Sequence, residues 1–121
     1  MLKFVYGIFP AFVSYKEVDG KVKNFAKGCR IVIQPKYKDD KGLLKHELAH
    51  VKQWYRGGLL IHTLRYKRSR RYRLYCEVEA YKEQMKYGMS IEDIALKLTW
   101  DRYRLGLTYD QALLALLEFV T

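Results

Sequence analysis

Cysteine is almost missing from this 121-residue chain: Cys29 and Cys76 are the whole complement. Two thiols make neither the disulfide framework of a small secreted domain nor a cysteine-rich zinc site. Their scarcity fits a reducing compartment, and the expected location is cytoplasmic. Proline is equally scarce, at Pro10 and Pro35. No apolar run approaches the roughly 18 residues that a membrane span requires. The nearest, residues 4–13 behind Lys3, is loosely like a signal peptide, yet Pro10 interrupts it and no A-x-A cleavage pattern follows. Secretion is therefore the lesser alternative. Acidic residues are also few: 13 Asp and Glu stand against 23 Lys and Arg, for a net charge of +10. That balance favours acidic partners, whether nucleic acid, an anionic membrane or an acidic substrate, and it also serves plain solubility.

Half of the residues are hydrophobic, too many for a disordered chain, and the length suits one domain over residues 1–121. Eleven tyrosines offer amphipathic packing faces. The first third reads as β structure. Phe12-Val13-Ser14-Tyr15-Lys16-Glu17-Val18 has strand-forming residues, Asp19-Gly20 is a hairpin turn, and residues 21–25 return antiparallel. Gly28 breaks the chain, and Cys29-Arg30-Ile31-Val32-Ile33-Gln34 forms the strongest strand, ended by Pro35. From residue 40 onward the pattern is helical. Leu44, Leu48, Val51 and Tyr55 recur at helical spacing, and Gly57-Gly58 stops that helix. Residues 59–64 suit a short helix, and residues 69–87 a long one closed by Gly88. Two further helices open on capping boxes, Ser90 with Asp93 and Thr108 with Gln111. The expected fold class is α+β, a small N-terminal antiparallel sheet followed by about four to five helices.

The chemistry is concentrated in His46-Glu47-Leu48-Ala49-His50, an H-E-x-x-H pattern. Helical residues four apart stand one above the other, about 40° apart on the wheel. His46 and His50 thus aim two imidazoles at one point, with Glu47 beside it. The apolar positions Leu44, Leu48, Val51 and Tyr55 cluster on the opposite side. One face anchors the helix, and the other presents two zinc ligands and a base to a cleft.

A third ligand decides whether the pattern is more than two ordinary histidines. A following x-x-G-x-x-H is absent, since Gln53 and Arg56 occupy the required Gly and His positions. A glutamate on a later helix is present, in Glu77-Val78-Glu79-Ala80-Tyr81. On residues 69–87, Leu74, Val78, Tyr81 and Met85 form the apolar arc. Glu77 borders that arc, while Glu79 falls with Lys82, Glu83 and Lys86 on a solvated face. A ligand must point inward, which selects Glu77 and leaves Glu79 to pair with Lys82 at i,i+3. The expected centre is Zn²⁺ held by His46, His50 and Glu77, with a metal-activated water in the fourth position and Glu47 as general base.

His46-Glu47-Leu48-Ala49-His50 followed by Glu77-x-x-Ala80 resembles the gluzincins, zinc metallopeptidases whose third ligand is a glutamate on a downstream helix. The short spacer and small size look most like the minigluzincins, pared-down members with one zincin-like domain. The resemblance covers residues 29–87. It implies hydrolysis of peptide bonds in a peptide or protein substrate. It also implies that the strand Cys29-Arg30-Ile31-Val32-Ile33-Gln34 forms the upper rim of the cleft and receives substrate as an added strand. Such proteins can be latent, with a segment of their own chain in the cleft. The apolar run 112–120 is such a plug, a core helix or a dimer face. The chain departs from many gluzincins at Tyr81, where an acidic residue supports a ligand histidine. His62, Tyr66, Tyr72, Tyr75 and the nearby arginines are candidates for stabilising the oxyanion.

One segment lies outside that scheme. Arg65, Lys67, Arg68, Arg70, Arg71 and Arg73 are interleaved with Tyr66 and Tyr72, a composition suited to phosphate contact and base stacking. It is a solvated face, a groove for acidic substrates, or a nucleic-acid surface. The alternative function is accordingly a basic nucleic-acid-binding module, or a DNA-associated protease, with a structural or vestigial metal site. A small toxin-like interaction protein is a third reading.

Overall fold

The computed structural model describes residues 1–17 and 24–120. Four strands, β1 (Leu2–Val5), β2 (Phe9–Tyr15), β3 (Phe25–Lys27) and β4 (Arg30–Ile33), precede five helices. The helices are α1 (Lys41–Arg56), α2 (Leu60–Arg68), α3 (Arg70–Met85), α4 (Ile91–Leu98) and α5 (Tyr109–Val120). The α+β arrangement of a small N-terminal sheet followed by helices is the one expected. No helix among the described residues is long and apolar enough to cross a membrane. The apolar run 4–13 forms most of the β1–β2 hairpin.

The sheet is mixed rather than antiparallel, with strand order β1-β2-β4-β3. β2 runs parallel to β4, and β3 pairs antiparallel with β4 through the turn at Gly28 and Cys29. The physical reason lies in side-chain burial. Ile31, Val32 and Ile33 are consecutive and all buried, so this strand needs cover on both faces and takes the interior of the sheet. The short, half-exposed β3, ending in Lys27, is left at the edge. The Asp19-Gly20 turn lies outside the described residues.

The helix boundaries follow local chemistry. Asp40 caps α1 by accepting from Leu43 N at 3.0 Å, and Ser69 caps α3 by accepting from Tyr72 N at 3.1 Å. The Thr108 and Gln111 capping box is reciprocal, with bonds of 3.0 and 3.2 Å. Gly57 ends α1 for a steric reason. A Cβ there would stand 2.9 Å from both the Gln53 carbonyl oxygen and His62 Cβ, and 3.0 Å from the Tyr72 hydroxyl.

Two apolar clusters flank the α1–α3 pair. Val5, Ala11, Val13, Ile31 and Ile33 of the sheet pack on Leu48 and Val51 of α1. Val78 and Tyr81 of α3 pack with Ile94, Ala95 and Leu98 of α4 and Ala112 and Leu116 of α5. With Ala112 and Leu116 fully buried, α5 is a core helix. None of its described residues lines the cleft described below.

Candidate metal centre

The inner face of α1 carries His46, Glu47 and His50, and α3 lies against it with Glu77 directed back. One atom from each of His46, His50 and Glu77 falls within 4.8 Å of the other two. Glu77 Oε1 is 3.2 Å from His50 Nε2 and 3.6 Å from His46 Nε2. Glu77 is only 1% exposed, and its Oε1 has no hydrogen-bond partner among the described residues. A buried carboxylate oxygen left in that state is costly. A divalent cation among two imidazoles and this oxygen satisfies it, and the nitrogen-and-oxygen donor set is one that zinc accepts. The residues therefore fit the ion.

Each of the three side chains is held by a second contact. Tyr66, on α2, donates to the other oxygen of Glu77, Oε2. His50 Nδ1 lies 2.9 Å from Gln53 Oε1. Gln53 is fully buried, and its Nε2 donates to the Cys76 carbonyl and to Glu79, each at 2.9 Å. Both oxygens demand the amide nitrogen, so the carboxamide oxygen must face His50. Nδ1–H of His50 then donates to it, and Nε2 is freed toward Glu77. His46 is held differently. Its Nδ1 is buried with no partner among the described residues, and its ring meets Tyr81 edge-on with centroids 4.3 Å apart. Tyr81 thus holds the His46 ring by packing.

Glu79 faces away from this point, as expected, and forms an ion pair with Arg56 of α1, at 2.7 Å. Tyr75 also donates to Glu79, at 3.3 Å. α1 lies close enough to offer that guanidinium, a contact that a wheel of α3 alone does not reveal.

Electrostatics reflect the convergence. Burial disfavours the charged form of His50, but Glu77 overrides it and raises the imidazole from 6.5 to about 9. Burial likewise opposes charge on Glu77, and the adjacent histidines win, holding its carboxyl well below the usual range. Burial, reinforced by His50, Arg56 and Arg65, lowers His62 to about 4.

A cleft of about 350 Å³ opens over the centre. Its walls include Glu47, Trp54, His62 and Tyr66 from the helices, Phe25 to Gly28 from the sheet edge, and Tyr103 and Arg104 from the α4–α5 connection. The rim is therefore β3, not β4, because both edges of β4 are already taken by β2 and β3. Phe12 N bonds Cys29 O, and Lys16 N bonds Ile33 O. Odd-numbered residues of β4 thus face β2, and even-numbered ones face β3. By the β3–β4 register, Phe25 and Lys27 turn their backbone groups toward β4. Ala26 turns its own toward the cleft.

Arg73 does not belong to an exposed basic surface. It is buried, and its guanidinium donates to the carbonyls of Tyr66 and Lys67 at the end of α2, and of Tyr103 and Arg104 across the cleft, at 2.9–3.1 Å. Arg65 lies over the Tyr72 ring at 4.1 Å. Tyr103, Arg104, Trp54 and the β3 residues are cleft components that sequence reasoning missed. The stretch 99–108 has no periodicity to mark it, and only the fold brings it to the site.

No family model, curated protein or solved structure matches this chain.

Proposed function

We propose that this chain is a zinc-dependent endopeptidase of the gluzincin type, most like the minigluzincins. One observation carries the proposal. A glutamate on a separate helix, fully buried and with a free carboxylate oxygen, meets the two histidines of H-E-x-x-H at 3.2 and 3.6 Å.

His46, His50 and Glu77 would hold the Zn²⁺, which would supply Lewis acidity and lower the pKa of the attacking water toward about 7. Glu47, beside His46 and facing the cleft, takes the proton of the attacking water as its oxygen bonds to the carbonyl carbon. It returns that proton to the amine nitrogen as the C–N bond breaks. The backbone of Ala26 aligns an extended peptide along the edge of β3. His62 serves as oxyanion donor. Tyr72 Oη lies 2.8 Å from its Nδ1, which leaves Nε2 for the cleft, and burial keeps the ring neutral near pH 7. Tyr66, already committed to Glu77, is a positioning residue.

The test is metal analysis with peptide hydrolysis. The purified protein should hold one equivalent of zinc, lost in His46→Ala and Glu77→Ala. Glu47→Gln should keep the zinc and lose about 10²–10⁴-fold in turnover. Zinc retained in Glu77→Ala would overturn the ligand assignment, and a fully active Glu47→Gln would overturn the base.

A further inference from the structure

Three of the four most exposed aliphatic side chains among the described residues belong to the β1–β2 turn and the start of α2; the fourth, Leu114 at 63%, lies on α5. Leu60 is 76% exposed, Ile8 72% and Ile61 63%. Ile8 sits in the β1–β2 turn with the exposed Tyr6, next to Phe9, whose ring stacks on Tyr55 at 4.9 Å. Leu60 and Ile61 begin α2, just after Leu59, whose N–H bonds the Trp54 carbonyl at 2.8 Å. Both loops therefore rest on the last turn of α1. Each holds a bulky residue in the left-handed region, Tyr6 at φ 52° and Leu59 at φ 60°. A glycine would adopt those backbones without strain. The side chains add little to the core, since Tyr6 is 51% and Leu59 44% exposed.

Charge around this tip is predominantly positive, although Glu79 and Glu83 share a cavity with Tyr6, Lys52 and Arg56, and Glu79 pairs with Arg56 at 2.7 Å. No Asp or Glu occurs in residues 1–16, or in residues 48–76, which hold eight Lys and Arg. Lys52 stands 6.0 Å over the Tyr6 ring. Exposed Arg65, Lys67 and Arg68 follow the apolar start of α2, where Leu64 is also exposed.

We propose that this end of the molecule docks on an anionic lipid bilayer. Ile8, Leu59, Leu60 and Ile61 enter the headgroup boundary, while Lys52, Arg65 and Arg68 meet lipid phosphates. A second copy of the chain suits the surface poorly, because a two-fold contact would set like charges against each other. Nucleic acid would meet the cations, but a duplex would accept the protruding aliphatics only by unstacking base steps, at a cost of a few kcal/mol each. The opposite face of α2, with His62 and Tyr66, lines the cleft, so docking sets the cleft beside the lipid surface. If the peptidase reading holds, its substrates are then chain segments lying close to a bilayer.

Vesicle co-sedimentation tests the docking apart from catalysis. The wild-type chain should sediment with phosphatidylcholine vesicles containing phosphatidylglycerol, and far less with phosphatidylcholine alone. Glu47→Gln and His46→Ala should bind equally, so loss of the peptidase reading would leave this result standing. Leu60→Ser with Ile61→Ser, and separately Ile8→Ser, should each weaken binding at least about tenfold while melting temperature holds. Arg65→Glu with Arg68→Glu should weaken it about fivefold or more per charge, and high salt should do the same. Failure of the wild type to sediment with anionic vesicles at low salt overturns the proposal. So does full binding by the aliphatic variants, or binding to duplex DNA but not to vesicles. A concentration-dependent dimer that Leu60→Ser with Ile61→Ser abolishes would assign the surface to a second copy and overturn it as well.

Discussion

Gln53 faces His50 with its carbonyl oxygen, at 2.9 Å from Nδ1, because its amide nitrogen is claimed by the Cys76 carbonyl and by Glu79. One buried carboxamide thereby fixes both the tautomer and the direction of the His50 imidazole. Gln53→Leu removes that acceptor while roughly keeping volume. Zinc affinity should fall by about 10–100-fold. A chelator competition assay measures this, and an unchanged affinity would show that His50 is oriented by something else.

Zinc binding should depend on pH through the same histidine. In the metal-free protein Glu77 raises His50 to about 9, so below that pH the ion must displace a proton. Apparent affinity should climb by up to about tenfold per pH unit between pH 6 and 9. Metal-free stability has the opposite trend there. The folded value of His50 lies above its ordinary 6.5, so its contribution is complete below 6.5 and is lost as pH rises through about 9. Thermal melts of chelated and zinc-loaded protein across this window check both signs.

His62→Ala should separate catalysis from metal binding. If Nε2 of His62 donates to the oxyanion, kcat should drop by about 10²–10³-fold, with zinc content unchanged and KM little altered. A loss of zinc instead would mark His62 as a structural support of the centre.

Arg73→Leu should destabilise the fold by about 3 kcal/mol, because four carbonyls, at the end of α2 and at residues 103–104, lose their donor at once. The Tyr103 carbonyl is the most enclosed of them. Urea denaturation measures it. Arg68→Glu and Arg71→Glu, on exposed positions, should change stability by less than about 0.5 kcal/mol. Equal effects from the three substitutions would remove the distinction between clamp and surface.

The sequence by itself determined the local elements and the identity of the converging residues. Apolar positions at helical spacing, Gly57 as a stop and the caps at Ser69, Ser90 and Thr108 act over a few residues, so they are legible one segment at a time. The preference for Glu77 over Glu79 was legible for the same reason: a helix wheel distinguishes an inward face from an outward one. Tertiary structure alone decided the order of strands in the sheet, and with it which strand borders the cleft. Strand order depends on which segment needs cover on two faces, and that need is resolved only when all strands compete for the interior. It also decided that Arg56 forms an ion pair with Glu79, that Arg73 turns inward, and that Tyr103 and Arg104 reach the site. Each of these is a contact between residues more than 20 positions apart, set by how α1, α3 and the α4–α5 connection pack rather than by any local periodicity.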